Sequence, residues 1–112
     1  MPVDLDALRR ESRKLERGEA THQITSQGPV RINVGLRGSQ TPEFFLEVVL
    51  SLCPDGSVNL ENLGSCVKYL RALESMGYGL ECSDSVVCCE KNVSESNIDS
   101  ELKQLREIMD IF

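Results

Sequence analysis

Apolar residues recur along the 112-residue chain with two different periods, and the switches between them mark out the elements. Period two is plainest in residues 29–37. There Val30, Ile32, Val34 and Leu36 alternate with Arg31, Asn33 and Gly35, the pattern of a half-buried strand. Period 3.6 governs three other stretches. Residues 4–17 predict a helix with Asp4 as cap, Leu5, Leu8 and Leu15 as a thin apolar stripe, and Gly18 as the stop. After a cap at Asn59, Leu63, Cys66, Val67, Leu70 and Leu73 form a continuous stripe that ends at Gly77, with Lys68, Arg71 and Glu74 on the solvent side. Gly64 inside this helix is read as a point of close packing. From Ile98 to the end, Ile98, Leu102, Leu105, Ile108, Met109 and Phe112 share one face, and Ser96 with Asp99 has the spacing of a capping box.

Between the second and third helices, residues 78–90 predict a hairpin. With Asp84-Ser85 as its turn, Leu80, Cys82, Val87 and Cys89 share one face, and Glu81, Ser83, Val86, Cys88 and Glu90 share the other. Cys88 is then the exposed thiol and Cys89 the buried one. A short polar strand is expected around residues 22–25. Residues 42–53 fit both periods: as a helix, Thr41 caps it and Pro42 takes the first position; as a strand, Phe44, Leu46, Val48, Leu50 and Leu52 alternate with Glu43, Glu47 and Ser51. The strand is preferred, because the strand at 30–36 otherwise lacks a sequence-adjacent antiparallel neighbour. The expectation is a single α+β domain over residues 1–112. Its antiparallel β-hairpins are packed by N-terminal, central and C-terminal helices, in the order α-β-β-α-β-β-α, with 42–53 strand or helix.

Composition narrows the function classes. The chain carries a net charge of −6, which disfavours an autonomous nucleic-acid binder. The charge is uneven: residues 1–37 hold seven Lys/Arg against five Asp/Glu, and residues 38–112 hold five against thirteen. Arg9, Arg13 and Arg17 recur every four residues on the first helix, with Arg10 and Lys14 beside them. That face is either solvated or a docking surface for an acidic partner. No stretch approaches the length of a membrane span, no signal-peptide pattern opens the chain, and an odd number of cysteines argues against a full disulfide framework. A cytoplasmic location is expected.

Candidate chemistry is sparse. Cys82, Cys88 and Cys89 suggest a metal or thiol-redox site, but adjacent strand residues point to opposite faces, and buried Cys behaves as a small apolar side chain. His22, the lone histidine, has no ligand spacing around it. No catalytic motif is present, and neither a cofactor nor a bound metal is expected.

Two resemblances bear on function. The run Cys66-Val-Lys-Tyr-Leu-Arg-Ala-Leu-Glu-Ser-Met-Gly-Tyr78, followed by a hairpin, resembles the recognition helix and wing of winged-helix regulators. In those, Leu-x-x-Leu-x-x-x-Gly-aromatic leads into the wing; here the matching residues are Leu70, Leu73, Gly77 and Tyr78. With 42–53 helical, this resemblance implies DNA binding through a surface whose cations are Lys68 and Arg71. With 42–53 as a strand, the element order is similar to the small acidic chaperones of bacterial secretion systems, which dimerise and bind extended segments of partner proteins. The preferred reading is a non-enzymatic interaction or regulatory module that binds a protein partner or a second copy of itself. Arg9, Arg13, Arg17, Glu81, Cys88 and Glu90 are its candidate contact residues. A winged-helix-like DNA binder is the first alternative, and a cysteine-based metal or thiol-redox site on the 78–90 hairpin the second.

Overall fold

The computed structural model describes residues 5–14, 19–27, 29–38, 43–52 and 60–109. Their elements run α1 (Leu5–Lys14), β1 (Glu19–Gln27), β2 (Val30–Arg37), β3 (Glu43–Ser51), α2 (Leu60–Ser75), β4 (Gly79–Ser83), β5 (Val86–Val93) and α3 (Ile98–Met109). The five strands form one antiparallel sheet in the order β1-β2-β3-β5-β4. The α+β class and the packing of helices on a sheet are as expected, with one strand more than the α-β-β-α-β-β-α order. Both ambiguities resolve as strands: 43–51 is β3, and the polar segment expected at 22–25 lengthens to 19–27 as β1. The helical reading of 42–53 is thereby corrected, and with it the first helix of a winged-helix layout.

β3 is the central strand of the sheet, with Glu43 exposed and Glu47 part-buried on its outer face. It lies between β2 and β5, and its apolar residues are buried in two consecutive runs, Phe44, Phe45, Leu46 and then Val48, Val49, Leu50. Because it buries apolar residues on both faces, at odd and even positions alike, its sequence also fits a helix.

One face of the sheet holds the main core. Val30, Ile32, Val34 and Leu36 of β2 stand beside Leu50, Val48, Leu46 and Phe44 of β3, and Val87 and Cys89 of β5 continue the rows. Leu8 from α1, Cys66 and Leu73 from α2, and Ile98, Leu102, Leu105 and Met109 from α3 close over them. The expected stripe on α3 is buried at Ile98, Leu102, Leu105 and Met109 and partly at Ile108, while Phe112 lies outside the described residues. On α2 it is narrower than expected: Cys66 and Leu73 are fully buried and Leu70 partly, but Val67 is 51% exposed. Lys68, Arg71 and Glu74 face solvent as expected.

Two caps differ from one another. Gly77 ends α2 with φ 94°; its N–H donates to the Glu74 carbonyl at 3.0 Å and the Tyr78 N–H donates to the Leu73 carbonyl at 3.0 Å, a Schellman closure. At the start of α3, a single 3-10 turn, Glu95–Asn97, precedes the helix, so Ser96 lies inside that turn and does not cap α3. The expected caps Asp4 and Asn59, the stop at Gly18, the residues 39–42 and the turn at 54–57 lie outside the described residues.

Gly64 does not mediate close packing. A Cβ built there would meet nothing within 4 Å, so the glycine is exposed helix surface. Gly64→Ala is expected to stabilise the protein by about 1 kcal/mol through helix propensity. A higher urea midpoint would register this, and a lower one would restore the packing role.

A buried polar cluster ties α3 to the hairpin. Glu101 is only 9% exposed and receives two hydrogen bonds on one oxygen, from Lys91 Nζ at 2.9 Å and from the Tyr78 hydroxyl at 3.3 Å. The Lys91 ammonium also lies 5.6 Å from the centroid of the Tyr78 ring. A further tie joins α2 to α3, with the Tyr69 hydroxyl donating to the Met109 carbonyl at 3.1 Å.

Candidate interaction site on the outer face of the sheet

The second face of the sheet has its own small buried centre. Alternation sends Phe45 and Val49 to this side, away from the core neighbours of Phe44 and Val48, yet they are 1% and 6% exposed. Phe45 sits directly across from Gly35, where a Cβ would come within 2.2 Å of its Cζ. Glycine is required at this strand position because the ring of the cross-strand residue occupies the space a side chain would take.

Arg37 covers that ring. Its guanidinium carbon lies 4.3 Å from the Phe45 centroid, and Nη2 reaches both oxygens of Glu90 at 3.2 and 3.3 Å and Glu19 at 3.5 Å. One side chain from β2 therefore spans the sheet above β3, linking β1 to β5. The hydrogen bonds that Arg37 donates to the Glu90 carboxylate hold its guanidinium above its ordinary pKa. Around this strap the outer face is polar: Asn33 Nδ2 donates to Glu47 at 2.8 Å and Asn92 Nδ2 donates to Glu43 at 3.4 Å.

Beside the strap, where β4 begins, the surface opens into a cleft of about 610 Å³ lined by Arg37, Gly77, Gly79, Leu80, Glu81, Cys88, Glu90, Lys91 and Asn92. Cys88 is half-buried next to Val49 and opposite Glu81. Burial, then the negative charges of Glu47, Glu90 and Glu81, push its thiol above the ordinary range. Such a thiol stays protonated at neutral pH and is a poor nucleophile.

The expected contact residues fall in separate places. Glu81, Cys88 and Glu90 come together on this face and line one cleft. Arg9 is on α1, on the core side of the sheet. It pairs with Asp6 at 2.9 Å and with Glu95, and its guanidinium carbon lies 5.4 Å from the Phe44 centroid. Its charge is thus engaged in surface ion pairs within the chain. The Arg13 side chain and Arg17 lie outside the described residues. Arg37, Phe45 and Gly35 were not singled out from sequence; the signal was a glycine interrupting an otherwise regular strand, followed by a pair of adjacent phenylalanines in the next one.

The hairpin has the preferred register, with Leu80 across from Cys89, Cys82 across from Val87, and a two-residue turn at Asp84-Ser85. Asp84 adopts φ 54°, a left-handed conformation that Asp tolerates. Cys82 is exposed and shares the side of Cys89, Cys88 is on the other side, and Cys66 is buried on α2. Burial pushes the Cys89 thiol up to about 12. Among the described residues, no group of three or more His, Cys, Asp or Glu side chains is arranged to hold a metal ion. None of the described helices is long and apolar enough to cross a membrane.

Neither a protein-family model, nor a curated protein, nor a solved structure matches this chain.

Proposed function

We propose that the chain is a non-enzymatic interaction module that binds a protein partner in the cytoplasm and pairs with a second copy of itself along β4. One observation carries this reading: β4 is an edge strand in which all five residues are exposed, and one of them, Leu80, is a large apolar residue left 42% exposed. An open edge offers unpaired backbone groups to another strand, and a leucine on it adds apolar area to the pairing. The opposite edge, β1, is broken by a register shift between Gln23 and Thr25, a feature that discourages strand addition. Four unpaired cysteines among the described residues fit a reducing compartment.

Light scattering tests the self-pairing. The wild-type chain is expected to give twice its 12.5 kDa mass. Leu80→Lys, which places a charge on the edge, is expected to give a folded monomer whose melting temperature no longer depends on protein concentration, since Leu80 is 42% exposed and makes little use of the core. A wild-type monomer at every concentration and at low salt would reject the pairing.

A further inference from the structure

β5 is eight residues long and β4 only five. Their pairing stops at Gly79 opposite Glu90, while β3 continues to pair with β5 through Lys91, Asn92 and Val93. In a strand flanked by two antiparallel neighbours, successive residues direct their N–H and C=O groups alternately to one side and the other. The last three residues of β5 therefore turn at least one such pair toward the side that β4 has vacated. At Tyr78 the chain leaves that line, because its N–H is committed to closing α2. The cleft lies at this point, and two of its lining residues, Gly77 and Gly79, present backbone without a side chain.

The charges in the cleft are unequally committed. Arg37 is paired with Glu90 and Glu19, and Lys91 is paired with Glu101. Glu81 is exposed and forms no ion pair among the described residues. The neighbouring Cys88 thiol experiences the combined negative field of Glu47, Glu90 and Glu81. The charge left for a visitor is negative, on a chain whose net charge is −6.

We propose that this cleft receives an extended, basic segment of a partner chain, which continues the line of β4 along the uncovered end of β5 and sets a lysine or arginine against Glu81. The proposal rests on the protein-binding reading above, and it names a second site distinct from the outer edge of β4. Backbone pairing supplies sequence-tolerant affinity, and the carboxylate selects a cationic side chain.

The test uses a fluorescein-labelled peptide of alternating lysine and threonine, about eight residues long, against a counterpart of alternating glutamate and threonine. Fluorescence anisotropy is expected to show binding of the basic peptide alone, weakening as salt rises. Glu81→Gln is expected to weaken it about tenfold, the worth of one charge-assisted hydrogen bond. Gly79→Tyr, which fills the cleft, is expected to abolish it. A Cβ at Gly79 meets only the Glu90 carbonyl at 3.8 Å, so this variant is expected to fold, and circular dichroism confirms that. Asp99→Asn, an exposed carboxylate on α3, is expected to bind as wild type. Binding that neither Glu81→Gln nor Gly79→Tyr alters would overturn the cleft while leaving the protein-binding reading in place. Equal binding of acidic and basic peptides would overturn the charge selection. No binding to a wild-type protein that still dimerises through Leu80 would overturn this site alone.

Discussion

Phe45→Ala is expected to cost about 3–5 kcal/mol of stability, as large as a truncation in the main core, although Phe45 lies on the opposite face of the sheet. The ring is 1% exposed, and three things depend on it. It covers the backbone at Gly35, it fills the space under the Arg37 strap, and it shields the middle of a strand that has no other large apolar residue on that side except Val49. The converse substitution tests the same arrangement from the other strand. Gly35→Ala places a Cβ within 2.2 Å of the ring and is expected to cost about 1–3 kcal/mol by overpacking. The two changes share one space and must couple. In Phe45→Leu the shorter side chain makes room, so adding Gly35→Ala to it is expected to cost clearly less than adding it to wild type. Urea denaturation of the four proteins measures the coupling. Additive effects, or a loss below about 1 kcal/mol for Phe45→Ala, would mean that the outer face has no packed centre of its own.

The contrast between β2 and β3 shows why some of the fold was legible and some was not. β2 carries apolar residues at alternate positions with a glycine and polar residues between, so its period is visible without any neighbour. β3 buries apolar residues on both faces, so its apolar runs fit a helix as well as a strand, and only the need of β2 for a partner favoured the strand. β1 was underestimated for the opposite reason. Its sequence, Glu-Ala-Thr-His-Gln-Ile-Thr-Ser-Gln, offers just two apolar residues, Ala20 buried and Ile24 partly so, and an edge strand can be held by backbone pairing to a well-formed neighbour. The hairpin register followed from the turn at Asp84-Ser85, since a three-residue turn would have exchanged the faces of the second strand and put Glu90 against the core, away from Glu81. Leu80 and Cys82 nonetheless emerged exposed. Alternation identifies the side of a strand, but not how far the covering helices extend over the edge.

The candidate site was half legible for the same reason. Glu81, Cys88 and Glu90 share a face by period two alone. Arg37 joins them only because the sheet places β5 two strands from β2, an order that no local pattern encodes. Of the four-residue charge repeat Arg9, Arg13 and Arg17, only the Arg9 side chain is among those described, and it pairs with Glu95, a residue 86 positions away in the chain that no local pattern links to it.

Glu101→Ala is expected to be the most damaging change to a polar residue, costing about 2–3 kcal/mol. Glu101 stands on an otherwise apolar helix face and accepts from both Lys91 and Tyr78. Without it, a part-buried ammonium and a buried phenol lose their acceptor together, and the penalty is that of leaving both unsatisfied. The Lys91 side chain retains 30% exposure, so water offsets some of the loss, which sets the figure below that of a fully buried pair. The Tyr78 hydroxyl provides a separate readout. Burial first, and then the Glu101 charge, raise its pKa well above the ordinary phenol range. In Glu101→Gln an amide oxygen still accepts a hydrogen bond while the charge is gone. Tyr78 is therefore expected to ionise at lower pH than in wild type, though still above the ordinary phenol range, because burial persists. Ultraviolet titration of the two tyrosines distinguishes them when repeated in Tyr69→Phe. The double variant Lys91→Met with Glu101→Leu is expected to recover part of the stability, because it removes the ammonium together with its acceptor but leaves the Tyr78 hydroxyl without a partner. It would also take a cation from the wall of the cleft. If the double variant were as unstable as Glu101→Ala, the cluster would be holding α3 on the hairpin by its hydrogen bonds and not merely avoiding an unpaired charge.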